Sequence, residues 1–339
     1  MIYINDLPGI DQWAKFILYA DDANIMITGE NMQEIKEQLN RLTNSLVKWV
    51  NANGLLLNLK KTNYMLFSRK TIRQAPQVII NNVHITRVHE AKFLGVILDE
   101  KLSWSNHIKA LKGKMARYVG IMYRIRSHVP LQVRVQIFHS FVQSHLNFCA
   151  LVWGFAAKSH IDSLFTQQKK GMRAIMPGHV NFFYQNGDLP SGTKTSFNNL
   201  SILTVHGIIT SNAVNFMNKV FYFANELPKH VAETIPKNTP SRQSHADHES
   251  CQNWYENYNT CTYRNSIFFK GPLIFLDQSL DNIFNHVTCQ STSAFKAQCK
   301  RTILSLQREG DANDWTSNKF ILQNISGLRY SKRRIDQTK

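Results

Sequence analysis

Residues 13–29 constrain the fold of this chain more than any other segment, because two apolar runs there flank a pair of adjacent carboxylates. The first run ends at Tyr19, the second begins after Asp22, and Ala20 and Asp21 lie between them. Strand-forming residues on both sides of turn-forming residues predict two antiparallel strands joined by a tight turn. The sequence therefore predicts a β-hairpin with Asp21 and Asp22 at its tip.

The segment that follows the hairpin mixes helical and strand patterns. Apolar residues from Asn31 to Asn53 recur every three or four positions, which predicts an amphipathic helix that covers one sheet face and stops at Gly54. Strand patterns then occur at 57–68, at 77–86 around an Asn81-Asn82 turn, and at 91–99. The fold class predicted for residues 1–99 is α+β.

From Trp104 onward the apolar residues follow a helical period. We expect a long helix after Trp104, a second helix that starts at Pro130, and a third from Ile161 to Ile175. The predicted division of the chain is an α+β unit (1–99), a helical region (100–235), a polar linker or long loop (236–263) and a mixed C-terminal segment with a basic tail (264–339).

The charge balance favours a polyanionic partner. The chain has 40 Lys and Arg against 23 Asp and Glu, a net charge of +17 and a pI near 9.7, so its field attracts nucleic acid. The helix after Trp104 carries basic residues suited to phosphate contacts: Lys109, Lys112, Lys114, Arg117, Arg124 and Arg126. The alternative is that this run, like Lys169, Lys170 and Arg173, is only the solvated face of a helix.

Targeting and metal signals are weak. No apolar run spans a bilayer and no signal peptide is evident, so we expect an intracellular protein, nuclear or cytoplasmic, without a membrane partner. Five cysteines in no framework spacing favour a reducing compartment. His245, His248, Cys251 and Cys261 could suggest zinc, but their spacing matches no zinc pattern, and an unstructured loop is the alternative.

The hairpin and its surroundings resemble the reverse transcriptases of non-LTR, jockey-like retrotransposons. WAKFILYADDANIMITG (13–29) is similar to the catalytic hairpin, and IYINDLP (2–8), LNLKKTNYMLF (57–67) and FLGVILDEKLSWSNHI (93–108) follow in the order of that family. The resemblance implies a partial reverse-transcriptase palm at 1–99 and a helical thumb or connection at 100–235. It implies an RNA-directed DNA polymerase that acts on an RNA template and a DNA primer, with Mg²⁺ or Mn²⁺ as cofactor.

The resemblance also implies roles for single residues. Asp21 would be a catalytic metal ligand and Asp22 its acidic neighbour, with Tyr19 and Ala20 beside the primer terminus and the nucleotide. Lys61 would lie near the departing pyrophosphate; the alternative is a solvated lysine before a strand. Phe93, Leu94 and Gly95 would belong to a hairpin that grips the primer; the alternative is an ordinary core strand, and the two interpretations are compatible. Trp104 and His107 end that motif, and the more common role of such a histidine is capping or surface exposure.

Two-metal chemistry needs a further carboxylate on a separate strand. Only 20 residues precede Asp21, and their acidic residues, Asp6 and Asp11, lie in the stretch that resembles the segment before the hairpin. We therefore expect a C-terminal part of such a polymerase, inactive by itself. The alternative is a non-catalytic nucleic-acid-binding protein derived from it.

Overall fold

The computed structural model describes residues 4–68, 75–176, 192–228, 231 and 292–309. The chain divides into two compact units, residues 1–102 and 103–339. Helices and small sheets occur together, so the α+β prediction is confirmed at the level of fold class. The predicted linker at 236–263, which contains all four zinc candidates, lies outside the described residues, as does most of the segment 264–339.

In its described residues, unit 1 has eight short strands in two-stranded sheets. The strands are β1 (Lys15–Tyr19), β2 (Asp22–Met26), β3 (Asn63–Tyr64), β4 (Ile79–Ile80), β5 (Val83–His84), β6 (Thr86–Arg87), β7 (Glu90–Phe93) and β8 (Val96–Asp99). Antiparallel pairs form between β1 and β2, β4 and β5, and β7 and β8, whereas β3 pairs with β6 in parallel. The predicted turn at Asn81 and Asn82 is confirmed, because both residues adopt positive φ angles between β4 and β5.

The predicted amphipathic helix is α1 (Met32–Ala52), and it begins and ends as its sequence indicates. Asn31 caps its N-terminus, since the Asn31 side chain accepts a hydrogen bond from the Glu34 amide at 2.9 Å. Gly54 follows its end with a φ of +63°. Leu39 and Val47 of α1 pack against a small core, and the sheet surface that the helix covers is therefore the β4–β5 hairpin. That core consists of Val78, Ile80 and Ile85.

The strand predicted over 57–68 is wrong for most of its length, since only Asn63 and Tyr64 are in a strand. The Asn58 carbonyl accepts hydrogen bonds from the amides of Lys61 and Thr62, both at 3.0 Å, and the Asn58 side chain accepts from the Lys61 amide at 3.2 Å. This local turn replaces the strand, because an asparagine side chain competes for the backbone donors that strand pairing would use.

Unit 2 is helical where it is described. Its helices are α2 (Ser105–Ile125), α3 (Leu131–Phe138), α4 (Ser144–Asn147), α5 (Ala150–Trp153), α6 (Lys158–Ile175), α7 (Gly192–Asn199), α8 (Val205–Tyr222) and α9 (Thr292–Glu309), with a π-helical turn at His139–Gln143. The three helices predicted from Trp104, Pro130 and Ile161 correspond to α2, α3 and α6. Among the described residues no helix is long and apolar enough to cross a membrane.

The core of unit 2 forms where α2, α6 and α8 bury their apolar faces. Met115, Phe138, Trp153 and Leu164 are fully buried in it. Gly171 of α6 allows a close approach, because a Cβ atom there would lie only 2.7 Å from the Phe138 ring. The burial follows the helical period of α2, whose buried residues include Ile108, Leu111, Met115 and Met122, as predicted.

A network of buried glutamine side chains holds the segment before α8. Gln168 Nε2 donates to the Leu203 carbonyl at 2.9 Å, and Gln168 Oε1 accepts from the Val205 amide at 2.8 Å. Gln143 Nε2 donates to the same carbonyl at 3.2 Å. Gln307 of α9 accepts from the Thr204 amide and donates to the Ile202 carbonyl, each at 3.2 Å. Amides from three separate segments thus bind one short stretch of backbone.

We predict that Gln168→Met destabilises unit 2 by roughly 1–3 kcal/mol, because it preserves the side-chain volume but leaves the buried Val205 amide without its acceptor. The measurement is the urea midpoint of the full chain, followed by tryptophan fluorescence. The control is Gln136→Met, at an exposed position of α3. Equal midpoints for the two variants would show that the network contributes nothing to stability.

Candidate active-site hairpin and basic helix

The β1–β2 hairpin brings four of the predicted site residues together at one tip. Tyr19 pairs with Asp22 as the last residues of the ladder, so Ala20 and Asp21 alone form the turn. Asp21 is thus in the turn, whereas Asp22 is the first residue of β2, and both are exposed. The prediction of a hairpin with adjacent carboxylates at its tip is confirmed.

The backbone at the tip is strained. Ala20 adopts a φ of +52°, a region that costs a residue with a Cβ atom about 1–2 kcal/mol. A two-residue hairpin turn requires a positive φ at its first position, and a positive φ also occurs at Leu102, Trp104, Cys149 and Ser201. The strained position at Ala20 lies directly before the two carboxylates.

The outer face of the hairpin exposes apolar side chains on the same side as Asp22. Ile17 and Tyr19 alternate outward along β1 and are exposed, as is Met26 on β2. The cross-strand pairing of Tyr19 with Asp22 puts both side chains on that face. A carboxylate at the tip therefore lies beside an exposed aromatic ring, an arrangement in which a metal-bound phosphate and a sugar or base could be held together.

Asp11 anchors the chain segment that leads directly into β1 of the hairpin. Its Oδ1 atom accepts hydrogen bonds from the amides of Trp13 at 2.8 Å and Ala14 at 3.3 Å, and its Oδ2 atom lies 3.5 Å from Arg41 Nε of α1. Asp6 accepts a hydrogen bond from Trp49 Nε1 at 3.1 Å. Both acidic residues upstream of Asp21 thus have structural partners.

The segment predicted at 91–99 is a second hairpin, formed by β7 and β8. Phe93 pairs with Val96, so Leu94 and Gly95 form the turn, with φ angles of +44° and +89°. The hairpin that the resemblance implied is present, and Val96 in its second strand is also buried. Leu94 is exposed at its tip, and its left-handed backbone is a second strained position.

Lys61 is exposed in the turn that begins at Asn58. Among the described residues, no hydrogen bond or ion pair joins its side chain to the β1–β2 hairpin. Its assignment to the pyrophosphate therefore stays a prediction.

The hairpin tip has the donor chemistry that Mg²⁺ prefers, since both side chains offer carboxylate oxygens. Within the described ranges, no group of three or more His, Cys, Asp and Glu side chains could hold a metal ion. The residues present thus fit part of a magnesium site, and Asp21 and Asp22 are the side chains that would hold the ion.

In unit 2, α2 presents the predicted basic residues to solvent. Lys109, Lys112, Lys114, Arg117 and Arg124 are exposed, and the half-exposed Arg126 lies over the Tyr123 ring at 5.1 Å. From Ser103 to Met176 every charged residue except Asp162 is basic. This surface suits phosphate contacts that do not depend on base sequence.

The expectation that His107 is a surface residue is wrong, and its capping role stays a prediction. His107 is buried in the first turn of α2, and its ring lies 6.0 Å from that of Trp153. Burial, with a smaller effect from Lys114, lowers the pKa of His107. The side chain is therefore a neutral core residue at neutral pH.

Two features near the predicted residues were not found from the sequence. The anchoring role of Asp11 had a local signal, since an aspartate two residues before the Trp13 amide can form a turn with it. The stacking of Tyr118 on Phe141 and His145 had no local signal, because it joins α2 to a distant π-helical turn.

The chain is similar in sequence to RNA-directed DNA polymerases of insect mobile elements. It is 22% identical over 253 residues, 73% of this chain, to a probable RNA-directed DNA polymerase from transposon X-element of Drosophila melanogaster. It is 28% and 29% identical, over 46% of this chain, to those from the mobile element jockey of Drosophila funebris and D. melanogaster. The resemblance to non-LTR retrotransposon reverse transcriptases is thereby confirmed.

The similarity covers only part of each relative. The chain spans 27% of the length of the X-element protein and 17% of each jockey protein. No protein-family model matches the chain. No solved structure matches it either.

We predict that Asp11→Ala lowers the stability of unit 1 by roughly 1–3 kcal/mol, because two backbone donors lose a charged acceptor. Hydrogen exchange of the β1 and β2 amides should accelerate accordingly, and Asp11→Asn should have a smaller effect because it keeps an acceptor. Glu30→Ala, at an exposed acidic position of the same unit, is the control. Unchanged exchange in Asp11→Ala would contradict the anchoring role.

Proposed function

We propose that this chain is part of an RNA-directed DNA polymerase of a non-LTR retrotransposon and contains its catalytic hairpin. The observation that carries the proposal is the β1–β2 turn, which presents Asp21 and Asp22 together on a strained backbone. The sequence similarity to such polymerases supports it, and the small share of their length that the chain covers supports its being a part of a longer enzyme.

In this proposal Asp21 and Asp22 hold Mg²⁺ through their carboxylate oxygens. The ion, when bound, neutralises developing charge on the transferred phosphoryl group. Tyr19, beside Asp22 on the outer face of the hairpin, contacts the nucleotide or the primer end. The exposed Lys61 neutralises or protonates the leaving pyrophosphate, and the β7–β8 turn with Leu94 contacts the primer.

A second candidate function is non-catalytic binding of nucleic acid. The observation that favours it is that Asp162 is the sole acidic residue from Ser103 to Met176, where α2 exposes lysine and arginine along most of its length. Phosphate contacts of this kind need neither a metal nor a complete active site.

Primer extension on an RNA template with Mg²⁺ tests the catalytic proposal. We expect incorporation by the chain joined to the segment encoded upstream in its locus, and a loss of at least about 100-fold in Asp21→Asn or Asp22→Asn, because charge stabilisation at the transferred group is removed. Glu37→Gln, an exposed carboxylate on α1, should match the unsubstituted protein.

The same assay separates the two candidates. We expect no incorporation by the 339-residue chain alone; activity there that depends on Asp21 would show that another acidic residue completes the site. Incorporation that survives both aspartate substitutions would refute the catalytic role of the hairpin.

For the basic helix we predict salt-dependent binding of duplex nucleic acid. Lys109→Gln and Lys112→Gln should each reduce the slope of log Kobs against log salt by about 0.9, because each removes one phosphate contact. Lys36→Gln, at an exposed position of α1, is the control. Slopes that do not change would show that α2 does not contact phosphates.

A further inference from the structure

An aromatic stack lies at the surface of unit 2. The Tyr118 ring of α2 stacks with the Phe141 ring at a centroid distance of 5.0 Å and an interplanar angle of 28°. It also stacks with the His145 imidazole at 5.5 Å and 22°. Tyr118 packs against the core on its inner side, whereas Phe141 remains 45% exposed. Stacking on Tyr118 therefore holds the Phe141 ring in place while much of the Phe141 surface faces solvent.

The π-helical turn His139–Gln143 supplies this geometry. Its Val142 and Gln143 side chains are buried, and Gln143 belongs to the glutamine network. Phe141 and His145, four residues apart, are both placed against Tyr118. π-helical turns are rare and occur frequently at functional sites. The turn thus fixes Phe141 from the core side while presenting its ring outward.

The surroundings of the stack are cationic. Lys114 precedes Tyr118 by one helical turn and Arg117 is its neighbour; both are exposed, and neither forms an ion pair with another described residue. Asp162, the sole acidic residue between Ser103 and Met176, lies 3.5 Å from His206. A ligand that matches this surface therefore has a planar apolar group, which contacts the exposed ring, and negative charge beside it, which contacts the cations.

Among the possible ligands of this surface, these properties favour single-stranded nucleic acid. Exposed aromatic rings beside cations bind unpaired bases by stacking while the cations contact the flanking phosphates. Base faces inside a duplex are already stacked on their neighbours, so a duplex has no free base face with which the Phe141 ring could stack. An apolar protein segment would use the ring but would gain nothing from Lys114 and Arg117.

We propose that Tyr118, Phe141 and His145 form a stacking site for an unpaired base of single-stranded nucleic acid, with Lys114 and Arg117 on the adjacent phosphates. The inference rests on the proposed function for its polyanionic partner, and it adds a single-stranded segment that contacts unit 2. Burial, with a smaller effect of Lys114, lowers the pKa of His145, so the imidazole stacks as a neutral ring at neutral pH.

The test combines base removal with side-chain removal in the full chain. The probes are a fluorescein-labelled oligodeoxythymidine of about 12 nucleotides and an abasic oligomer with the same number of phosphates. Phe141→Ala should weaken binding of the base-bearing oligomer roughly five- to 100-fold and leave the affinity for the abasic oligomer unchanged. Phe141→Trp should retain binding, and Phe141→Leu should behave like Phe141→Ala.

Phe148→Ala is the matched control, because Phe148 is also an exposed phenylalanine of unit 2 but takes no part in the stack. It should bind both oligomers as the unsubstituted chain does. Equal losses for both oligomers in Phe141→Ala, or no loss, would overturn the stacking site. Full binding by Phe141→Leu would overturn it in favour of a general apolar contact.

Duplex binding, measured alongside, separates this inference from the proposed function. Salt-dependent duplex binding together with no preference for the base-bearing oligomer overturns the stacking site alone. Absence of binding to duplex and to both oligomers overturns the stacking site and the nucleic-acid role of unit 2 together.

Discussion

The described part of unit 2 depends on hydrogen bonds that glutamine side chains make where water does not reach. Gln168 satisfies the Leu203 carbonyl and the Val205 amide, and Gln307 satisfies Thr204 from α9. Buried amides of this kind must be paired, because an unpaired one costs about 1–3 kcal/mol. The network therefore fixes where α8 begins, and the Thr204 side chain then caps that helix by accepting from the Gly207 amide.

The same network connects the core to the surface. Gln143, one of its members, lies in the π-helical turn, and the residue two positions before it is the exposed Phe141. The buried side-chain amide of Gln143 fixes the backbone of this turn. Because the turn is already ordered, contact between Phe141 and a ligand would cost little conformational entropy. In the proposed stacking site, the polar residues inside unit 2 thus hold the ring that contacts the base.

The sequence allowed the elements with strong periodicity or strong turn residues to be predicted, because local interactions decide them. The β1–β2 hairpin, α1 with its Asn31 cap, and the Asn81-Asn82 turn are of this kind. The strand expected at 57–68 failed because Asn58 closes a turn that competes with strand pairing. The glutamine network could not be predicted from the sequence, because Gln168 and Leu203 are far apart in the chain and glutamine is usually exposed.

For the candidate site, the adjacency of Asp21 and Asp22 was predictable because the two residues are neighbours in the chain, but the strain at Ala20 was not. A glycine at position 20 or at position 94 would adopt the observed backbone without cost, yet alanine and leucine stand there. Both strained residues lie in turns that the family resemblance marks as contacts of the primer or nucleotide. A two-residue hairpin turn requires a positive φ at its first position, so the turn geometry accounts for the backbone of Ala20 and Leu94. The sequence did not show it, because neither residue is the glycine that usually marks such a turn.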